Sequence, residues 1–214
     1  MSDSSENKNV VKNIFLVALS NIISLLSGVM VGFVLPKIMS KPDYGYYKTF
    51  TLYFSYIGLF PLGFIDGIYL LYAGMNYDSL SREKFRLYTK FLLWFQVIVS
   101  IIFIIISIPF FKSITGFIIF SIGINVFFNS LSGYYQIISQ ITYRFKELSW
   151  RNIIKAILTS ISIIILMILF FFGIINDVKF QLFILITTVI SIFLTLLYMY
   201  TYRDITFGKC ANLR

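Results

Sequence analysis

The sequence contains no histidine and a single cysteine, Cys210, and only 13% of its residues are charged. Each shortage excludes a class of chemistry. Without histidine the chain lacks the side chain that most often acts as a general base near neutral pH, and with it the commonest metal ligand. One cysteine cannot close an internal disulfide. There is no glycine-rich phosphate loop, no GxGxxG followed by an acidic residue and no CxxC pair, so no nucleotide engine, cofactor box or metal site is expected. The reading is of a protein that is not an enzyme, with no catalytic residue, no cofactor and no metal.

What is abundant is apolar. Hydrophobic residues make up 58% and aromatics 19% of the chain, whereas a soluble domain carries roughly 25% charged residues. This is the composition of a membrane protein. The excess of 18 basic over 9 acidic side chains does not point to nucleic acid, because the basic residues are scattered among apolar runs and form no dense face. A hydrocarbon core of about 30 Å needs about 20 helical residues. Stretches near that size run from Ile14 to Leu35, Tyr46 to Tyr72, Phe91 to Phe110, Ile114 to Ile138, Ile153 to Gly173 and Gln181 to Tyr200. Their Ile and Phe content would favour strands in water, but unpaired backbone cannot face lipid, so helices are expected. The first run lacks a signal-peptidase site and is too long for a signal-peptide core, so it reads as a retained membrane helix.

The expected fold is therefore all-α and polytopic, with about six transmembrane helices over residues 13–202. A tail (1–12) precedes them and a segment (203–214) follows. Thirteen of the 18 basic residues, including Lys12, Arg86, Arg144, Arg151 and Arg203, fall between alternate spans; Lys37, Lys41, Lys48, Lys112 and Lys179 lie on the other side. That asymmetry places both termini in the cytoplasm of a multi-pass inner (plasma) membrane protein.

Polar residues inside the spans are the candidate functional groups. The first span carries Asn21, Ser24 and Ser27, and Gly28 and Gly32 have the spacing that lets helices approach closely. Pro36, Pro42 and Gly45 bracket a short polar hairpin in which Asp43 reads as an ordinary loop acid. Pro61 should bend the second span. Asp66 lies about six residues from the cytoplasmic end of that span at 1.5 Å per residue, which suits a partner at the inner face, a gate or ion coupling. In the fourth span, Ser121, Asn125, Asn129, Ser132, Gln136 and Gln140 fall 3 or 4 residues apart on one helical face. Such neutral groups either bond between helices or bind the hydroxyls of a sugar. Arg144, Lys146, Arg151 and Lys155 form a basic segment that either signals topology or attracts an anionic lipid headgroup.

The stretch from Phe33 to Gly74 carries one further signal. Pro36-Lys37 closing a helix, Tyr44-Gly45-Tyr46-Tyr47, Gly63-Phe64-Ile65-Asp66-Gly67 and Tyr72-Ala73-Gly74 resemble the amino-terminal part of bacterial polysaccharide and O-antigen flippases. These belong to the multidrug/oligosaccharidyl-lipid/polysaccharide exporter superfamily. The resemblance implies one lobe of a two-lobe fold and a cargo of oligosaccharide on undecaprenyl diphosphate, moved by alternating access. It implies a second lobe or a homodimer partner, with truncation the favoured explanation, and contact with membrane lipids, a polysaccharide polymerase and glycosyltransferases. Under it, Asn21, Ser121, Asn125, Asn129, Ser132 and Gln136 become candidate substrate contacts. Asp66 and Pro61 become candidates for gating or ion coupling, and Arg144, Lys146, Arg151 and Lys155 for the lipid diphosphate. A drug or cation exporter of the same superfamily, a membrane transferase using the same carrier, and a non-transporting scaffold are the competing readings.

Overall fold

A computed structural model of the chain describes residues 2–207, with side chains from Asn13 onward. Cys210, Lys209 and Arg214 lie outside the described residues. Among these residues the fold is all-α. The helices are α1 (Ser2–Ile38), α2 (Lys41–Ser55), α3 (Phe64–Tyr72), α4 (Arg82–Ser107), α5 (Ile114–Ile141), α6 (Phe145–Phe171), α7 (Phe180–Thr201) and a short α8 (Arg203–Thr206).

Five of them, α1 from Asn13, α4, α5, α6 and α7, are long and apolar enough to cross a membrane. Lys41–Leu59, which begins with α2, and α3 pass the same test only together, as a broken span or a re-entrant loop, bent by 49° at the break between them. The bend has a local cause. Pro61 withholds a backbone donor, and Leu62 and Gly63 then take positive φ values of 51° and 75°. The expected bent helix is thus a broken one, with a left-handed residue as its joint.

The helix ends follow the turn chemistry of the sequence. Ser40 caps α2, accepting a hydrogen bond from the backbone N–H of Asp43, with Pro42 in the first turn. Ser113 caps α5 in the same way through Gly116 N–H. Pro36 falls inside α1, so the hairpin expected over residues 36–45 contracts to the turn at residues 39–40.

Helix α5 is the hub. It packs against α2, α3, α4, α6 and α7, whereas α1 lies along α6 and meets α2 only at its end. Half of α5's most apolar stretch is buried, against 11% for α1. Large apolar side chains on the outer faces of α1, α4 and α6, such as Phe15, Trp94 and Ile165, are exposed, as they should be where the solvent is lipid. The close approach expected of Gly28 and Gly32 is not made: a Cβ at either would meet nothing within 4 Å. It occurs instead at Gly123, where a Cβ would sit 2.9 Å from Phe103 Cβ on α4.

Polar groups tie the bundle at each end. At one, Lys179 Nζ lies 3.2 Å from Asp43 and 3.0 Å from Asp177, while Asp177 accepts from Ser40 N–H at 2.7 Å and Asp43 from Phe180 N–H at 3.3 Å. Asp43 is 7% exposed, which corrects its reading as an ordinary loop acid. At the other end, Tyr77 Oη donates to Asp204 at 2.7 Å and Tyr202 Oη to Glu147 at 2.8 Å. The Arg144 guanidinium lies 3.5 Å from the Tyr77 ring centroid. This second end is rich in basic residues, among them Arg144, Arg151 and Arg203.

Candidate functional site: a polar cleft along the hub helix

Because α1 follows α6 and, among the described residues, makes no close backbone approach to α3 or α5, a cleft is left between the α1–α6 pair and the rest of the bundle. It consists of chambers that share walls. One, of about 260 Å³, lies between α3 and α5 and is lined by Pro61, Asp66, Asn129, Gly133, Gln136 and Gln140. The next, about 220 Å³, shares Asn129, Gly133 and Gln136 and adds Ser132, Arg151, Asn152, Lys155 and Ser191. A third, about 400 Å³, shares Asn152 and Lys155 and reaches α1 at Asn21, Ser24 and Ser27. Towards the basic end, Gln140, Tyr143 and Phe145 line a further chamber of about 290 Å³. Beyond it, the α1 face from Asn13 to Asn21 borders a largely apolar groove of about 750 Å³.

The stripe predicted on the fourth span is divided by this arrangement. Ser121 and Asn125 are buried, 4% and 1% exposed, and do not reach the cleft. Asn125 Nδ2 donates to the Ser121 carbonyl within α5 and to Thr188 Oγ1 of α7, both at 2.8 Å, so Asn125 joins two helices and Ser121 is enclosed beside it. Their assignment as cleft contacts is corrected accordingly. From Asn129 onward the stripe lines the cleft. Asn129 Nδ2 donates to the Asn125 carbonyl at 3.0 Å, which orients its amide while leaving it only partly buried. Ser132, Gln136 and Gln140 follow on the same wall.

The basic segment separates into different roles. Arg144 is held by Glu147 at 3.4 Å and by Tyr77. Arg151 donates to the Leu197 carbonyl at 3.1 Å and to Thr201 Oγ1, and lies 5.0 Å from the Tyr198 ring centroid. Both arginines brace the basic end, although Arg151 also borders the cleft. Lys146 is exposed and lines none of the cleft chambers described above. Lys155 is different: it is exposed on the cleft wall and has no ion-pair partner among the described residues. It stands ten residues into α6, about 15 Å along the axis from the helix start, so it belongs to the span and not to a loop.

Asp66 occupies the first turn of α3, exposed in the chamber opposite Asn129 and Gln136, again without an ion-pair partner among the described residues. Pro61, buried beside it, forms the joint with α2. Cleft chemistry is thus one carboxylate, Lys155, the partly engaged Arg151 and a set of neutral amides and hydroxyls. Ionisable groups inside a membrane crossing are costly and therefore mark function by default.

Two features escaped the sequence reading. Asn152 joins Lys155 and Thr159 on the cleft face of α6, a 3-and-4 spacing that was readable but overshadowed by the charges around it. On α4, Gln96 and Ser100 are 1% and 8% exposed; four residues apart, they continue the inward face of Phe85, Thr89 and Leu92. Among the described residues no cluster of three or more Cys, Asp or Glu could hold a metal ion. No protein-family model, no curated protein and no solved structure matches the chain.

Proposed function

We propose that this chain is the amino-terminal lobe of a bacterial flippase that moves a lipid-linked oligosaccharide across the inner membrane by alternating access, with both termini in the cytoplasm. The observation that supports it is the cleft. Asn129, Ser132, Gln136 and Gln140 of α5, Asn21 and Ser24 of α1 and Asn152 of α6 line adjoining chambers that share walls within the membrane-crossing part of the bundle. Amides and hydroxyls each donate and accept hydrogen bonds, which matches the hydroxyl-rich surface of a sugar better than that of an apolar drug. The resemblance over residues 14–75 points the same way and covers the broken α2–α3 crossing. That crossing is the natural moving element, because half-helices meeting at a non-helical joint are a recurrent device of transporters. A second lobe, or a second copy, would close the open side of the cleft. A polymerase and glycosyltransferases are the expected neighbours in the membrane.

Asp66 favours a second reading in the same superfamily. A carboxylate without an ion-pair partner beside a helix joint suits an exported cation or a coupling proton or sodium ion. The two are separated by export assays in cells. Loss of glycan export in Asn129→Leu and Gln136→Leu at normal protein levels, with Asp66→Asn altering only its ion dependence, is the outcome expected of a flippase. Full glycan export in both amide variants would overturn it, and loss of cation resistance in Asp66→Asn alone would favour the exporter. No transport of either kind, with co-purification of glycosyltransferases, would favour a scaffold.

A further inference from the structure

We infer that the chamber between α5, α6 and α7 is a subsite for an acidic sugar, with the sugar carboxylate held by Lys155 and Arg151 and the ring hydroxyls by Asn129, Gln136 and Asn152. This deepens the flippase reading by naming the kind of sugar, and it rests on that reading for its biological meaning. Around the two cations the chamber is walled by amides, hydroxyls, Gly133 and Leu194, and no acid lines it.

The protein itself does not compensate these charges. Lys155 has no ion-pair partner among the described residues. Arg151 is engaged there only by neutral groups, the Leu197 carbonyl, Thr201 Oγ1 and the Tyr198 ring. Glu147, one turn from Arg151, is held by Arg144 and Tyr202. Both hydrogen bonds of Arg151 leave from Nη2, so its donors on Nε and Nη1 remain for a ligand. Uncompensated charges within a membrane crossing are costly. A neutral sugar would leave both as they are, whereas a carboxylate accepts charge-assisted hydrogen bonds from a guanidinium and an ammonium at once. Tyr198 adds an independent mark: it lines the same chamber, is 1% exposed, and its hydroxyl has no hydrogen-bond partner among the described residues.

Depth separates this anion from the head of a lipid. Arg151 and Lys155 stand six and ten residues beyond Phe145, where α6 begins, or about 9 and 15 Å into the helix at 1.5 Å per residue. A membrane lipid keeps its head at the bilayer surface, and the sugar of a lipid-linked glycan is the part that enters a cleft within the span. At about 220 Å³ the chamber is smaller than the roughly 300–1,000 Å³ of a drug-sized pocket, which suits a single ring. The neighbouring ring falls in the Asp66 chamber, reached across the shared residues Asn129, Gly133 and Gln136. A Cβ on Gly133 would meet nothing within 4 Å, so the passage between the chambers is open. Asp66 gives the second chamber the opposite sign, and like-charge repulsion keeps an acidic ring in the first.

The test is ligand-observed NMR titration of the full chain in phosphatidylcholine nanodiscs. Methyl β-D-glucuronide is the acidic sugar and methyl β-D-glucoside its neutral counterpart. Cyclohexanecarboxylate supplies a carboxylate without hydroxyls, and inorganic pyrophosphate stands for a headgroup anion. The parent is expected to bind the glucuronide at least tenfold more tightly than any of the other three. Lys155→Gln should weaken the glucuronide at least fivefold and leave the glucoside unchanged, which also reports an intact fold. Lys155→Arg should keep the preference. Gln136→Leu should weaken both sugars and leave cyclohexanecarboxylate unchanged.

Equal affinity of the parent for glucuronide and glucoside overturns the inference, as does unchanged glucuronide affinity in Lys155→Gln or an equal loss of both sugars there. Binding of pyrophosphate as tight as that of the glucuronide overturns it in favour of a headgroup site, and equally tight cyclohexanecarboxylate in favour of a site for any carboxylate. Preference for the glucuronide in a protein that exports no glycan leaves the subsite standing and removes the flippase reading. Glycan export without that preference does the reverse.

Discussion

Asn125 Nδ2 donates to Thr188 Oγ1 across the α5–α7 interface at 2.8 Å, and this bond is where a stripe that looks uniform in sequence changes from helix packing to cleft wall. Above it Ser121 and Asn125 are enclosed; below it Asn129, Ser132, Gln136 and Gln140 face open space. The division yields a direct expectation. Unfolding of Asn125→Leu, Thr188→Val and the double variant in bicelles should show a coupling of about 0.6 kcal/mol and no more than about 1.7 kcal/mol, the range for interhelical hydrogen bonds in membranes. Export per folded molecule should be unaffected by either change. A large export defect in Asn125→Leu at full abundance would return that residue to the cleft.

The joint between α2 and α3 stores strain at one residue. Leu62 adopts φ 51° and is 77% exposed, so it pays for the left-handed conformation without a packing return. Leu62→Gly is expected to stabilise the bundle by about 0.5–1 kcal/mol, and Gly63→Ala to destabilise it by about 1–2 kcal/mol. Thermal unfolding in detergent reads both. If Leu62→Gly destabilises instead, the side chain has a partner in the membrane.

Glycines at similar spacing should differ sharply. Gly123→Val drives a side chain into Phe103 and towards the Ser100 carbonyl, 3.3 Å from the position of a Cβ, and overpacking of this kind costs about 1–3 kcal/mol. Gly28→Ala and Gly32→Ala, which face open space in this bundle, should be near neutral for its stability. A marked export loss in the α1 variants with unchanged stability would show that a further lobe or second copy packs there.

Both tied ends should loosen in alkali. Hydrogen bonds to Asp177 and Asp43 hold the Lys179 ammonium above the ordinary lysine value of 10.5. Burial, then the hydrogen bond to Asp204, holds the Tyr77 phenol above the ordinary 10.0. Both folded-state values are raised, so each contribution is whole below the unfolded value and is lost as pH rises through the folded one. Stability is therefore expected to hold up to the tyrosine range and decline above it, with the slope reduced in Lys179→Met and in Tyr77→Phe. Equal alkaline slopes in parent and variants would separate these residues from the effect.

Much of the fold was legible because membrane helices obey few rules. The fourth span was expected from Ile114 to Ile138 and is found as α5 from Ile114 to Ile141; the second was expected to bend at Pro61 and breaks there. Asp66 was placed near the basic end and lies six residues from the end of α3. Less legible was partnership. The sequence puts Asp43 in a turn, but only the fold brings Lys179 to it from 136 residues away. Likewise Arg151 and Lys155 stand one helical turn apart, and only packing against α7 engages the first while leaving the second on the cleft wall.

By itself, then, the sequence determined that the chain crosses a membrane as helices, because backbone in lipid has no other way to satisfy its polar groups. It also determined which faces are polar, since helical spacing is fixed by local geometry. Tertiary structure alone decided which polar residues are enclosed and which line a cleft. The reason is physical: an amide against a neighbouring helix and an amide against a cavity have the same spacing, and differ only in what stands opposite.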